Sequence, residues 1–368
     1  MSHQIHTDNL GNYVRVRTGK LDANANDPNG EYPFFTCAVE PLKITAYSYD
    51  CECVLVAGNG DLNVKYFNGK FDAYQRTYII ESTDKSILDV RYLFHFLSEY
   101  VNKLREMCIG GVIKYIKLNF LTDAQIYLPP IDEQRRIAGI LDKADAIRYK
   151  RQESIRLTNV FLRSVFLDMF GDPVKNSKKW EMKKFADVGT LDRGVSKNRP
   201  RNAPELLGGP YPLIQTGDVA NSNGYIRSYK STYSEVGLRQ SKMWPSGTLC
   251  ITIAANIAKT GILTFDACFP DSVVGFAPNE LTTTEYVQSW LGFLQKSLEE
   301  NAPESAQKNI NLDILRKLNI PVPDIELQHE FTKRVKATQD IKSKFVTASV
   351  QETQLFESLS QRALNGDL

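Results

Sequence analysis

Little in this chain points to chemistry of its own. Its four histidines (His3, His6, His95, His329) are scattered, so no His-x-x-x-His pair exists. Six cysteines include one close pair, Cys51 and Cys53, without a second pair at zinc-site spacing. If the stretch Cys51-Glu52-Cys53 is a strand, both thiols fall on one face and read as buried side chains rather than metal ligands. No Gly-x-x-x-x-Gly-Lys-Ser/Thr occurs, and no Gly-x-Gly-x-x-Gly opens a helix, so phosphate-binding signatures are missing. The longest apolar run, near Leu249–Ala258, is broken by Thr252 and Asn256 and is too short to cross a bilayer. Met1–His6 lacks the basic start and apolar core of a signal peptide, so a cytoplasmic location is expected. Strong charge of either sign is absent too. With 45 Lys+Arg against 43 Asp+Glu, the net charge of +2 gives no general warrant for a nucleic-acid partner. Asp172 with Glu181 and Lys183 loosely mimics a metal-dependent nuclease set, a pattern short enough to arise by chance. We expect no catalytic residue and no metal site, and His95 reads as a packed helix residue.

What is there is a folded chain built twice. At 368 residues, 42% hydrophobic and 24% charged, the composition is that of an ordinary folded protein of two domains or three. Two segments match at an offset of 194 residues. The first runs from Lys114-Tyr115-Ile116-Lys117-Leu118 to Ile126-Tyr127-Leu128-Pro129-Pro130-Ile131-Asp132-Glu133-Gln134. Its counterpart runs from Lys308-Asn309-Ile310-Asn311-Leu312 to Ile320-Pro321-Val322-Pro323-Asp324-Ile325-Glu326-Leu327-Gln328. A long helical pattern follows each, ended by Gly171-Asp172 and Gly366-Asp367. Upstream, Arg17-Thr18-Gly19-Lys20 is echoed faintly by Arg193-Gly194-Val195-Ser196-Lys197. The plan is a globular block and a helix, then both again.

Pro129-Pro130 cannot continue a helix, so the first long helix starts after them, with Asp132 as N-cap and Glu133 in the first turn. Its apolar stripe is Ile137, Leu141, Ala144, Ile147, Ile155, Phe161, Leu162, Val165 and Met169, interrupted around Arg151. In the second helix the stripe is Phe331, Val335, Ile341, Phe345, Leu355, Leu359 and Ala363, with Thr338 and Glu352 in the seam. From Asp132 to Gly171 the helix spans roughly 55 Å at about 1.5 Å per residue. Such a stripe calls for a partner, and the other copy supplies one in an intramolecular coiled coil. The globular blocks read as mixed α+β. Strands are expected at Cys53–Ala57, Tyr78–Ile80, Thr248–Ala254 and Gly261–Phe265, and helices at Asp89–Met107 and Thr284–Glu300.

The stretch Leu128-Pro129-Pro130-Ile131-Asp132-Glu133-Gln134-Arg135-Arg136-Ile137-Ala138-Gly139-Ile140-Leu141-Asp142 resembles the hallmark segment of type I restriction–modification specificity subunits. Ser305–Ile310 resembles that family's lead-in. The second copy departs from the pattern: Glu326-Leu327-Gln328-His329 stands for the Glu-Gln pair, and Asp324 for the second proline. With the repeat, the resemblance covers essentially the whole chain. It implies an α+β protein with a pseudo-two-fold internal repeat. Residues 1–128 and 173–320 would be two target recognition domains. Residues 129–172 and 321–368 would be two long antiparallel helices that act as spacer. Each domain would read half of a bipartite, asymmetric double-stranded DNA site. The implied partners are two methyltransferase subunits and restriction/translocase subunits, which use S-adenosylmethionine, ATP and Mg²⁺. The chain itself would be a non-catalytic subunit.

Arginine suits bidentate contacts to guanine or phosphate, and asparagine suits adenine edges. On that basis the expected DNA contacts in the second block are Arg193, Lys197, Asn198, Arg199, Arg201 and Asn202, then Arg227, Lys230, Arg239 and Lys242, then Asn256 and Lys259. In the first block they are Asn59, Asp61 and Lys65 on turns, with Gln75 and Arg76 at the start of a strand. Lys114 and Lys308 are expected on phosphates before the helices. The entry Asp132, Glu133, Gln134, Arg135 and the aromatic residues Phe161, Phe166 and Phe170 are expected to face a partner. A reading of another class is a coiled-coil protein-interaction scaffold with peptide-binding domains and no DNA recognition.

Overall fold

The computed structural model describes residues 7–111, 114–198, 200–254, 258–300 and 311–367, without the side chains of 296–300. Its α-helices are α1 (Val90–Met107), α2 (Leu118–Thr122), α3 (Ile131–Phe170), α4 (Thr216–Ala220), α5 (Glu235–Arg239), α6 (Thr284–Glu300), α7 (Leu312–Lys317) and α8 (Ile325–Leu364). The chain divides into two compact units. One comprises Met1–Glu153 with Phe345–Leu368, the other Ser154–Lys344. Each unit therefore holds one stretch of α3 and one of α8.

In the first unit six strands form a sheet in the order Val14–Thr18, Thr77–Ser82, Tyr49–Ala57, Val64–Ala73, Tyr32–Phe35, Leu42–Ile44. The central Cys53–Ala57 run is apolar at every position because both faces of the sheet are covered. Val54 and Val56 pack with α1 residues such as Leu93 and Leu97, while Cys53 and Leu55 pack on the other side with Phe71 and Ile79. The second unit uses the same device. In Leu249–Thr252, Leu249 and Ile251 join the cluster of Trp290 and Phe276, and Cys250 joins that of Trp244 and Phe269. This strand lies in a five-stranded sheet, and a four-stranded sheet stands beside it in the same unit. Cys53, Cys250 and Cys268 are buried, and Cys51 is half-buried.

The repeat is carried by the framework around the long helices. Residues 118, 131 and 170 begin α2 and bound α3; residues 312, 325 and 364 do the same for α7 and α8, 194 residues on. A short strand pair precedes each long helix, Thr7–Asn9 with Gln125–Tyr127 and Glu181–Lys184 with Asn319–Val322. Glycines with φ +76° (Gly171) and +80° (Gly366) end both, a left-handed conformation that costs glycine nothing.

The joint between block and helix is made by one glutamine in each copy. Gln134 is fully buried; its Oε1 accepts from Asp89 N at 3.0 Å, and its Nε2 donates to Ile87 O and Pro129 O, both at 2.8 Å. Gln328 is equally buried. Its Oε1 accepts from Thr283 N at 3.0 Å and from the Thr282 hydroxyl at 2.9 Å, and its Nε2 donates to Leu281 O at 3.0 Å and Pro323 O at 2.8 Å. Two tyrosines repeat as well. The Tyr92 hydroxyl donates to Tyr127 O at 2.8 Å, and the Tyr286 hydroxyl to Pro321 O at 2.6 Å. These contacts tie the start of α1 or α6 to the proline turn that opens the long helix. They also correct two expectations. Gln134 is a structural clamp with no surface left for a partner, and Asp132 lies inside the first turn of α3 rather than capping it, since the helix begins at Ile131.

Within each unit the stretches of α3 and α8 meet in antiparallel order. In the first, Arg151 pairs with Glu352 at 2.9 Å, Arg148 lies over the Phe356 ring, and Leu141 shares a core with Ala363. The polar interruption at Arg151 is thus an ion pair. In the second, Asn159 meets Lys342, and Phe166 and Phe170 pack edge-on against Phe331. Ile147, Phe161, Ile341 and Leu355 depart from the expected stripe and are exposed. A stripe extrapolated at a fixed spacing of three and four drifts around a 40-residue helix and leaves the contact face. Among the described residues no helix is long and apolar enough to cross a membrane.

Candidate nucleic-acid interface

In the first unit the expected residues gather at one end of the sheet. The loop after Tyr49–Ala57 is pinned there by its backbone: Gly58 N donates to Arg76 O at 2.8 Å, Gly60 N to Lys114 O at 3.0 Å, and Asn59 bridges Tyr115. Asn59, Asp61, Arg76 and Lys114 are thereby neighbours, although up to 55 positions separate them in sequence. Arg76 and Lys114 are exposed. Gln75 donates to Asp22 at 3.0 Å, and Asp61 lies 3.8 Å from Arg105. Lys65 behaves differently. Its Nζ donates to Asn63 Oδ1, and burial lowers its pKa, so its charge is less available than a turn position suggested.

In the second unit a buried glutamine organises the basic loop. Gln240 Oε1 accepts from Lys197 N at 2.7 Å and Asn198 N at 3.1 Å, while the Ser241 hydroxyl donates to Val195 O at 2.8 Å. This joins the segment after Gly189–Arg193 to the segment after α5. Exposed Arg193, Lys197 and Asn198 are thus set on a backbone that also carries Arg239 and Lys242. Lys242 Nζ sits 3.9 Å over the Trp244 ring. Arg201 is partly neutralised by an ion pair with Asp271. With Asn202, Gln215 and Thr216 it lines a cleft of about 260 Å³. Arg227 lies over the Tyr225 ring at 5.3 Å, and Lys230 is exposed on the same loop. Arg199, Asn256 and Lys308 lie outside the described residues, as does the Ser305–Ile310 lead-in.

Lys259 lines a second cleft, of about 310 Å³, together with Asn159, Asn223, Gln339 and Lys342. None of these four neighbours was singled out by the sequence. Lys342 and Gln339 sit mid-helix, where a polar residue reads as a solvated face, and only the packing of α6 and the sheet over α8 buries them.

Of the residues expected to face a partner, Asp132 and Arg135 are exposed and pair with each other at 3.6 Å, and Glu133 pairs with Arg136 at 2.6 Å. Phe161 is exposed. Phe166 and Phe170 are not, which corrects a further expectation: both are core residues, packed among Tyr286, Phe293 and Phe331. The exposed apolar side chains of the long helices include Ile147, Tyr149, Val350 and Leu355 in the first unit and Leu157, Val160, Phe161 and Ile341 in the second.

The nuclease-like set does not behave as a site. Asp172 accepts from Val174 N and Lys175 N in a turn, and Glu181 pairs with Lys183 on an exposed strand. Among the described residues no group of three His, Cys, Asp or Glu side chains could hold a metal ion.

Comparison with known proteins agrees with the repeated architecture. A family model for the type I restriction modification DNA specificity domain matches twice, over residues 8–159 and 177–349. The type I restriction enzyme EcoDI specificity subunit of Escherichia coli is 26% identical over 98% of this chain and 88% of its own length. The EcoBI specificity subunit of the same species is 21% identical over 86% of this chain and 74% of its own. The crystal structure of a type I restriction–modification S subunit from M. genitalium shares the fold, with a TM-score of 0.67 over 99% of this chain and 97% of that one at 15% identity. A chain from a study of type I restriction–modification complex assembly aligns over its full length with a TM-score of 0.53 at 14% identity. With both halves matched by the model, the chain belongs to the type I restriction–modification DNA specificity family.

Proposed function

We propose that this specificity subunit reads a bipartite, asymmetric DNA sequence, one half through each recognition domain. The two domains are taken as residues 1–128 and 173–320, and the helical segments as 129–172 and 321–368. One observation carries the reading. The family match spans both halves, yet their basic side chains are arranged differently, around Arg76 and Lys114 in the first and around the Gln240-anchored loop in the second. Two unlike readers on one chain make the half-sites unlike. Side chains on such loops reach base edges or phosphates.

The long helices act as the spacer, paired as an antiparallel coiled coil that sets the gap between half-sites. The Gln134 and Gln328 clamps support this, because a domain fixed to its helix start follows the length of that helix. Two methyltransferase subunits dock on the helices, where exposed Tyr149 and Leu355 in the first unit and Val160 and Phe161 in the second offer apolar contact. Restriction/translocase subunits join for cleavage. S-adenosylmethionine, ATP and Mg²⁺ are used by those partners, and this chain contributes recognition without catalysis. With a net charge of +2, the isolated chain binds DNA weakly and the complex tightly, since partners add phosphate contacts.

Footprinting with the methyltransferase subunit present tests the reading. Two protected patches separated by an unprotected gap are expected; absence of any protection would favour the protein-interaction scaffold. Removing seven residues from both α3 and α8 is expected to change the gap and leave both half-sites recognisable.

A further inference from the structure

The two copies differ at one pair of positions in a way that leaves a charge unanswered. In the first unit α3 carries Asp145 and Arg148, paired at 3.1 Å on a half-exposed surface. The corresponding positions of α8, 194 residues on, are Gln339 and Lys342. An amide has replaced the carboxylate, and the cation has moved inside: Lys342 is only 4% exposed and Gln339 only 7%. An ammonium has three donors. Among the described residues Lys342 Nζ makes one hydrogen bond, to Asn159 Oδ1 at 2.8 Å, and has no carboxylate at ion-pair distance. Burial lowers its pKa, and the Arg227 guanidinium lowers it further. A buried charge without a counter-ion is costly and persists where something supplies the missing charge.

Its surroundings say what that is. The cleft of about 310 Å³ on which Lys342 opens also exposes Lys259, Asn159, Asn223 and the Gln339 amide, and no carboxylate lines it. The Gln339 side chain makes no hydrogen bond to a described residue, although more than nine-tenths of the residue is buried. Gly224 leaves room for that amide, since a Cβ there would stand 3.0 Å from Gln339 Nε2. Cations, amide donors and no acid select against a metal ion and for an oxyanion with several acceptor oxygens.

We infer that this cleft binds a phosphate group, with Lys342 as its buried counter-charge and Lys259, Asn159 and Gln339 as polar neighbours. The cleft stands on its own geometry. Its phosphate comes from the DNA backbone or from a free phosphate compound, and the first source rests on the DNA-reading function proposed above.

Thermal unfolding of the full chain in inorganic phosphate, against chloride at matched ionic strength, tests the inference. Wild-type Tm is expected to rise with phosphate concentration, as binding to the folded state alone requires. Lys342→Met is expected to raise the Tm in chloride and abolish the phosphate response. Gln339→Asp restores the carboxylate of the first copy and is expected to abolish the response while keeping the lysine, which decides the matter should the methionine variant fail to fold. Equal phosphate responses in wild type and both variants, or none in wild type, would overturn the inference. The source is then read from DNA binding by the methyltransferase complex. A salt-dependence slope smaller by about one in Lys342→Met marks a backbone phosphate, and an unchanged slope with the phosphate response lost marks a free one. A wild-type phosphate response in a complex that binds no DNA would refute the DNA-reading function and leave the cleft standing.

Discussion

The two units solve the same joining problem with the same residue in one place and with opposite residues in another. Gln134 and Gln328 are identical and make corresponding bonds. In the first turn of α1 and three turns into α3, however, Arg91 pairs with Asp142 at 2.6 Å, whereas the equivalent Glu285 pairs with Lys336 at 3.7 Å with the signs exchanged. The difference follows from what each contact demands. The clamp must accept from a backbone N–H and donate to two carbonyls at once, which only a primary amide does. An ion pair is satisfied by either polarity. Geometry that needs both a donor and an acceptor repeats, and geometry that needs only opposite charge is free to invert. At Asp145/Arg148 against Gln339/Lys342 even the charge balance has been released.

Removing the clamps gives the largest expected effect. Gln134→Ala and Gln328→Ala each orphan several buried backbone groups, and each is expected to cost about 3 kcal/mol at roughly 1–3 per group. Denaturant unfolding measures this. Gln328→Glu should fail almost as badly, because a carboxylate cannot donate to Leu281 O and Pro323 O. A loss confined to one copy would break the equivalence of the two joints.

Asp142→Asn comes next. It removes the partner of Arg91 and of buried His95, whose Nε2 lies 2.8 Å from Asp142 Oδ1, and is expected to cost about 1–2 kcal/mol at neutral pH.

The same cluster gives the first unit a pH dependence that the second lacks, since Ser289 stands at the position of His95. Burial lowers the His95 pKa below its ordinary 6.5, against the raising influence of Asp142 and Asp145 and with a small lowering from Arg91. The fold therefore favours neutral imidazole. That contribution is complete above about pH 6.5 and is lost as pH falls through the depressed value. Asp142 loses its own contribution lower still: burial raises its pKa, but hydrogen bonds from Arg91 and His95 outweigh that and hold it below 3.8. Hydrogen exchange between pH 7 and 5 should show amides of α1 opening before those of α6, and His95→Gln should remove the difference. Equal opening of both helices would contradict the assignment.

The smallest effect is Lys336→Ala, which breaks a longer ion pair whose lysine is largely exposed and whose buried Glu285 keeps the Tyr225 hydroxyl at 3.0 Å, and it should change stability by no more than about 0.5 kcal/mol. A loss as large as that of Asp142→Asn would erase the contrast between the units.

Much of the framework was legible in residue order. Prolines, the terminal glycines and apolar periodicity mark α3 and α8, and the helices expected at Asp89–Met107 and Thr284–Glu300 match α1 and α6. Continuous apolar runs such as Cys53–Ala57 mark strands covered on both faces. The interface was legible only as residue types. Arg76, Lys114 and Lys197 are exposed, as DNA contacts require, whereas Lys65 is not on the turn expected: it is half-buried in the strand Val64–Ala73, opposite Leu55, a pairing that sequence does not display. Phe166 and Phe170 read as partner contacts because a helix end with three aromatics resembles an exposed patch until α6 and α8 are placed over it.

Residue order alone sets the repeat, its 194-residue period, the elements that follow from local periodicity and breakers, and the family resemblance. Those are properties of neighbouring residues, and short-range sterics and hydrophobic spacing set them. Long-range packing makes clamps of Gln134 and Gln328, brings Arg76 beside Lys114, and buries Lys342 beside an amide instead of an acid. Each depends on which distant segment covers a side chain, and burial changes the meaning of a polar group more than its identity does.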